Sequence, residues 1–462
     1  MKHVHLIGIG GTGLSAIAKV LLEKGYTVSG SDRDDSPLFK SISGAGALTF
    51  LGHKPEQISG AELIIRSSAI PDDNPEVVAA LARGIPVLKR ADFLDELTQG
   101  KQTVAVAGSH GKTTTTAMLI WILHQLDTDP SFISGGMVSQ LGCNAHAGTG
   151  PQFVIEADEY DYMFLGLTPR IAIITNIEHD HPDCFPTLED YRAAFRSFLK
   201  RLPTDGIALV CMDDPETRLL IKEMPIPRSQ CFGYGTSGDA TYKAVGLTTI
   251  NGYPQFELVY QALDRSIINL GSVQLRIPGH HNALNATGAL SALHLLGMPM
   301  SAAIQAMSEF TGAGRRFEII GDAGGVTIID DYGHHPSEIA ATLDAAQSCF
   351  SGHRIWAIWQ PHTYTRTKNL QDEFEQALDL ADKVLVLQIY AARESDPGFS
   401  AQHIADALSA NKAHYIADFI HAAGYLLDKL IPGDIAIIFS AGNAIQLSRA
   451  VLEGLQQRER AH

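Results

Sequence analysis

Residues 105–115 read Ala-Val-Ala-Gly-Ser-His-Gly-Lys-Thr-Thr-Thr, an apolar strand that breaks into a Gly-Lys-Thr loop and then enters the apolar run 117–126. Such a loop works only where a buried strand delivers it to the N-terminus of a helix, whose unpaired backbone N–H groups converge on an anion. Lys112 then reaches the outer phosphates of a nucleoside triphosphate, and the hydroxyl of Thr113 or Thr114 ligates the accompanying Mg²⁺. Val106 stands where the usual phosphate-binding loop has its first glycine. The loop Gly108-Ser109-His110-Gly111 is therefore a shortened form.

The rest of the chain supplies a matching α/β architecture. Apolar strands at 4–8, 27–30, 62–65 and 86–88 alternate with helical stretches at 14–24, 74–83 and 91–97, the pattern of a Rossmann-like parallel sheet. A polar stretch at 98–102 places a boundary after residue 100. The second region, 101–312, carries strands at 153–155, 171–175 and 207–211 and a helix at 188–202. Between 231 and 275, short alternating strands with the turn Asn251-Gly252-Tyr253-Pro254 predict a small antiparallel sheet, followed by helices at 283–296 and 302–310. The glycines of Thr311-Gly312-Ala313-Gly314 mark a hinge. Alternation then returns over 313–462, with strands at 326–329, 355–359, 384–387 and 435–439 and helices at 337–349, 370–380 and 401–408. The expectation is three α/β domains: Rossmann-like, phosphate-loop with a small antiparallel sheet, and Rossmann-like again.

Composition removes several classes of function. The formal charge is −16, and no long basic run offers a footprint for nucleic acid. Five scattered cysteines show no paired spacing for zinc or a disulfide frame. No charged leader precedes the first strand, and no run approaches the about 20 apolar residues of a membrane span. A cytoplasmic protein with no membrane insertion is expected.

Further clusters sit at strand ends, where open α/β sheets bind ligands. Gly8-Ile9-Gly10-Gly11-Thr12-Gly13, with Asp32 closing the next strand, fits a diphosphate at a helix N-terminus and an acceptor for a ribose hydroxyl. Either NAD or a sugar nucleotide satisfies that pattern. Glu156-Ala157-Asp158-Glu159-Tyr160-Asp161 follows a buried strand and offers oxygen ligands for Mg²⁺, or else a solvated acidic turn. His179-Asp180-His181 suggests metal ligation or proton transfer. Asn282 and Asn285, three apart at a helix start, suit an adenine edge, though Asn282 also suits a helix cap. Arg315-Arg316 at the hinge can clamp a phosphoryl group. Asp330-Asp331-Tyr332-Gly333-His334-His335 and Gln360-Pro361-His362-Thr363-Tyr364-Thr365-Arg366 follow strands of the last region, where a second substrate would be recognised.

In this order, the segments 8–13, 108–115, 156–161, 176–181, 281–285, 315–317 and 330–336 resemble the Mur ligases of peptidoglycan synthesis over essentially the whole chain. Gly8–Gly11, Ser67-Ser68-Ala69-Ile70, Asp330–Pro336 and Gln360–His362 are most similar to the members that attach L-alanine to UDP-N-acetylmuramate. The resemblance implies that residues 1–100 hold the UDP-sugar through Gly10, Gly11, Thr12, Gly13, Ser31, Asp32, Ser67 and Ser68. It implies that residues 101–312 hold ATP through Gly108, Ser109, His110, Gly111, Lys112, Thr113, Thr114, Asn282 and Asn285. Two Mg²⁺ ions, replaceable by Mn²⁺, would be held by Thr113 or Thr114 with Glu156 and by His181. Residues 313–462 would close on ATP with Arg316, Asp330 and Asp331 and receive the amino acid through His335, His362, Tyr364 and Arg366. The chemistry implied is phosphorylation of a carboxylate followed by amide formation, carried by Lys112, Glu156, His181, Arg316 and His335. A monomer or weak homodimer is expected. Two positions depart from the alanine-adding pattern: Thr363 replaces an arginine and Gln388 an acidic residue. Glu159-Tyr160-Asp161 is closer to the murein peptide ligases, which add a tripeptide to the same nucleotide.

Overall fold

The computed structural model describes residues 2–224, 226–392, 394–409 and 411–461. The chain divides into two compact units, one of Met1–Val245, Glu257–Val273 and Leu284–Phe310, the other of Gly246–Phe256, Gln274–Ala283 and Thr311–His462.

The first unit contains one whole sheet and most of a second. Strands β1 (His3–Ile7), β2 (Thr27–Asp32), β3 (Leu48–Leu51), β4 (Leu63–Arg66) and β5 (Val87–Lys89) form a fully parallel sheet in the order β3-β2-β1-β4-β5. Four of these were expected from the sequence. The exposed edge strand β3, too short to show a period, was not.

Ten strands form the second sheet: β6 (Gln102–Ala107), β7 (Ser131–Val138), β8 (Cys143–His146), β9 (Gln152–Glu156), β10 (Ile171–Ile174), β11 (Ile207–Cys211), β12 (Cys231–Gly235), β13 (Tyr242–Ile250), β14 (Tyr253–Gln261) and β15 (Ile267–Gln274). Their order is β15-β14-β13-β12-β11-β10-β6-β9-β7-β8. The strands expected as a small antiparallel sheet thus run on from the edge of the large one, and the β12–β13 step is parallel. The centre is parallel too, with β6 between β10 and β9.

The helix Lys112–Gln125 is buried on every side from Thr113 to Leu123, the mark of a helix enclosed by protein. Trp121 Nε1 donates to the Ala306 carbonyl at 2.8 Å and ties it to the helix Met300–Glu309. The helix Leu188–Leu199 begins at a Thr187/Asp190 capping box. It presents Tyr191, Phe195 and Phe198 to Phe164 and Phe185, rings all fully buried. Phe164 stacks on Phe198 at 4.7 Å and Tyr191 meets Phe185 edge-on at 5.0 Å, each such pair contributing about 0.5–1.5 kcal/mol beyond burial. That cluster fixes the Tyr191 hydroxyl under the phosphate loop.

The second unit contains β16 (Glu318–Ala323), β17 (Val326–Asp331), β18 (Arg354–Trp359), β19 (Lys383–Val386), β20 (Ala413–Tyr415) and β21 (Asp434–Phe439), in the order β16-β17-β21-β18-β19-β20. Only β16 is antiparallel to its neighbour. Separate apolar clusters cover the two faces, around Ile329, Trp359 and Phe374 on one and Ile328, Trp356 and Leu426 on the other. That two-sided burial explains the near-continuous apolar runs of β18 and β21. Three sheets with flanking helices are the α/β architecture expected from the sequence. All five cysteines are free thiols. Among the described residues, no helix is long and apolar enough to cross a membrane.

Candidate active site

Strand β6 ends at Ala107 and Gly108 turns the chain at φ +134°, where a Cβ would stand 2.0 Å from Thr175 Oγ1. Gly111 caps the following helix at φ +80° and packs against the Asn285 side chain. Both positions therefore require glycine. The loop is pinned by the end of β10. Asn176 Oδ1 accepts from His110 N at 2.9 Å, and Asn176 Nδ2 donates to His110 O at 3.1 Å. Ser109 Oγ bonds both the carbonyl and the N–H of Glu178 at 2.8 Å, and His110 Nε2 lies 2.9 Å from Glu178 Oε2.

Lys112 folds back under this loop. Its Nζ donates to the carbonyls of Gly108 and Ser109 and pairs with Glu159 Oε2 at 2.9 Å. Glu159 is buried and also accepts from the Tyr191 hydroxyl at 3.0 Å, which in turn lies 3.0 Å from Ser109 Oγ. Burial pushes the Glu159 carboxyl up, partly countered by Lys112. Burial would lower the Lys112 ammonium, but Glu159, Asp158 and Glu156 together outweigh it and hold that group raised. A cation is thus stored where a triphosphate would be gripped, with backbone carbonyls and one carboxylate as partners.

Beside it, Thr113 Oγ1 donates to Glu156 Oε1 at 3.1 Å and Gly135 N to Glu156 Oε2 at 2.7 Å. A hydroxyl and a carboxylate side by side are hard oxygen donors of the kind Mg²⁺ selects, so these residues fit the ion implied by the sequence. Thr114 is buried in the same helix turn. His181, at φ +55°, brings Nε2 to 3.8 Å from Glu159 Oε1 and 3.7 Å from Asp180 Oδ2.

In the first sheet, Gly8 turns at φ +90° and Asp32 Oδ2 accepts from Gly10 N at 2.8 Å. Asp32 therefore shapes the glycine turn. Gly11 and Thr12 are exposed at the start of the helix Thr12–Glu23, and Ser67 and Ser68 follow β4 on the same edge of the sheet. Ser31, expected to meet the sugar nucleotide, has a fully buried side chain that donates to Glu76 Oε2 at 2.5 Å within a network joining His5, Ser29 and His53. Side chains alternate along a strand, and Ser31 falls on the inward side of β2.

In the second unit, Arg315 Nε meets Asp330 Oδ2 at 2.8 Å, and Asp330 is fully buried. Arg315 and Arg316 flank the Tyr332 ring at 5.2 and 5.0 Å. Asp331 accepts from Phe317 N at 2.8 Å and Gly333 N at 2.7 Å, and burial, partly countered by Arg316, pushes its carboxyl up to about 6. His335 caps the helix Pro336–Cys349. Arg366 Nη1 lies 3.2 Å from His362 Nδ1, the His362 ring lies 5.8 Å from that of His334, and Tyr364 N donates to Glu394 at 2.6 Å. Of the residues expected at the amino acid, His362 and Arg366 are thus brought together after β18, while His335 lies after β17 at the start of its own helix. Gln360 is committed internally to Ser440, Asn443 and Ala444. Asn282 donates to Pro278 O at 2.6 Å. Glu159 and Asn176, which lay within the quoted segments 156–161 and 176–181 without a role of their own, and Tyr191, which no sequence signal marked, brace the loop.

A phosphate-binding loop on a parallel sheet, with a carboxylate and hydroxyl pair beside its lysine, defines a P-loop nucleotide-binding protein. Residues 3–102 match the Mur ligase family catalytic domain, residues 106–293 the Mur ligase middle domain and residues 315–442 the Mur ligase glutamate ligase domain. A UDP-N-acetylmuramate–L-alanine ligase of Desulfosudis oleivorans is 39% identical over 459 residues, covering 98% of this chain and 99% of that protein. The solved UDP-N-acetylmuramate–alanine ligase of Thermotoga maritima superposes with a TM-score of 0.82 at 28% identity, covering 99% of this chain and 100% of that one. The murein peptide ligase of Psychrobacter arcticus gives 0.73 at 25% identity, covering 99% of each chain. The chain belongs to the Mur ligase family.

Proposed function

We infer that the protein is an ATP-dependent ligase joining L-alanine to the lactyl carboxylate of UDP-N-acetylmuramate in peptidoglycan precursor synthesis. The observation that carries this reading is the Lys112 loop with Glu156 and Thr113 beside it, in a chain aligned end to end with relatives named for that reaction. A free carboxylate is a poor electrophile. Transfer of the γ-phosphoryl group of ATP to the lactyl oxygen gives an acyl phosphate with a good leaving group. The amine of L-alanine then attacks the acyl carbon, and the tetrahedral intermediate loses phosphate and a proton to leave the amide.

In this reading residues 1–100 hold the sugar nucleotide, 101–312 hold ATP, and 313–462 close on ATP and bring the amino acid. Lys112 neutralises the transferring phosphoryl group, giving up Glu159 for phosphate oxygens. Thr113 or Thr114 with Glu156 would hold one Mg²⁺ and His181 a second; the ions supply positive charge to the polyphosphate. Asn285 and Asn282 serve the adenine side. Arg316 joins the phosphates while Asp330 and Asp331 set the hinge that presents it. His335, His362, Tyr364 and Arg366 surround the amine substrate.

Phosphate release from Mg-ATP with UDP-N-acetylmuramate, measured separately with L-alanine, glycine, L-serine and the L-Ala-γ-D-Glu-diaminopimelate tripeptide, tests the assignment. Release with L-alanine and a product heavier by an alanyl residue is expected. Release with the tripeptide alone moves the protein to precursor recycling, and oxidation of an alcohol with NAD in place of ATP turnover overturns the ligase reading.

A further inference from the structure

Arg90 opens the helix Arg90–Thr98 and lays its guanidinium against Gly13, in the first turn of the helix Thr12–Glu23. A Cβ at Gly13 would stand 1.5 Å from Arg90 Nη1, so the close approach needs a glycine there. The other terminal nitrogen, Nη2, lies 3.5 Å from Asp158 Oδ2, at the end of β9. Burial lowers the guanidinium pKa and Asp158 only partly offsets this. A long contact to a half-exposed carboxylate is weak recompense for a guanidinium with five donors and a side chain 24% exposed.

The same residues line an open cavity of about 130 Å³. Thr12, Gly13, Arg90, Leu94, Glu156 and Asp158 are among the residues that line it. The cavity is thus bordered both by the glycine turn expected to face a diphosphate and by the carboxylate assigned to the metal and triphosphate. A planar guanidinium at a helix N-terminus matches phosphate oxygens in both charge and fork geometry.

We propose that Arg90 binds the sugar-bearing phosphate of the sugar nucleotide, with Asp158 holding the guanidinium over the cavity until that phosphate arrives. This rests on the sugar-nucleotide reading above and extends it. Anchoring that phosphate beside Gly13 directs the attached sugar, with its lactyl carboxylate, across the cavity toward Glu156. Arg90 is then both a binding and a positioning residue.

Calorimetric titration of wild type, Arg90→Ala, Arg90→Lys and Asp158→Asn with UDP-N-acetylmuramate, UDP, UMP and Mg-ATP tests this, with melting temperatures recorded. Arg90→Ala is expected to weaken UDP and UDP-N-acetylmuramate at least tenfold while leaving UMP and Mg-ATP within twofold. Arg90→Lys should recover part of the loss, and Asp158→Asn should bind UDP as well as wild type or better. Equal losses for UDP and UMP, or unchanged binding of all ligands by Arg90→Ala, overturn the role of Arg90. A loss with Asp158→Asn as large as with Arg90→Ala overturns the placeholder role of Asp158. A wild-type protein that binds neither UDP nor UDP-N-acetylmuramate overturns the substrate reading itself.

Discussion

Lys112 and Glu159 form an ion pair at 2.9 Å beneath the phosphate loop, with the glutamate side chain only 1% exposed. Removing one member of such a pair leaves a buried charge without compensation, a loss of about 3–5 kcal/mol. Lys112→Ala is therefore expected to abolish most turnover and to lower the melting temperature while the protein stays folded. The double variant Lys112→Ala/Glu159→Gln should regain stability without regaining activity, a coupling that thermal melts and phosphate release read separately. Equal melting temperatures for the single and double variants would count against the pair as an energetic unit.

Glu156 is held by Thr113 and the Gly135 N–H on opposite oxygens. Glu156→Gln keeps its shape and removes its charge. The Mg²⁺ concentration for half-maximal turnover should rise by on the order of tenfold, with little change in the melting temperature. An unaltered Mg²⁺ titration would remove Glu156 from the metal site.

Asn176 grips both the N–H and the carbonyl of His110. Asn176→Ala leaves both groups in search of partners at a cost of about 1–3 kcal/mol. It should raise the KM for ATP about tenfold while moving the KM for the sugar nucleotide far less. Steady-state kinetics with each substrate varied in turn separates the two, and equal shifts would point to global loosening.

Asp331 has its carboxyl pushed up to about 6 by burial, above its ordinary value of 3.8. Below about pH 4 it is protonated in both folded and unfolded chains. Between about pH 4 and 6 only the unfolded chain releases the proton, so folding stability attributable to this group falls as pH rises through that window. The full loss is about 3 kcal/mol. Asp331→Asn lacks the titration, so its stability relative to wild type should improve from pH 4.5 to pH 7.5 in chemical denaturation. A pH-independent difference would show that Asp331 does not carry this linkage.

The strand–loop–helix around Lys112, the glycine turn at 8–13 and most core strands were legible because each is a local pattern: apolar period, turn glycine and ligand chemistry fall within one short segment. The edge strands β3, β8 and β20 were not legible, since they have few residues and pair on one side only. The strands expected as a separate antiparallel sheet joined the large one, because pairing partners are chosen in space.

What the sequence by itself determined was the α/β class, the position of the triphosphate loop and the acidic and histidine runs that serve it. Only the tertiary structure decided that Glu159 holds Lys112, that Asn176 and Tyr191 brace the loop, that Ser31 turns inward to Glu76, and that Arg90 lies across Gly13. Each of these contacts joins residues between 45 and 82 positions apart. The reason is geometric: strand alternation and helix phase fix which way a side chain points only once the sheets have packed, and hydrogen bonds and ion pairs are decided by that direction.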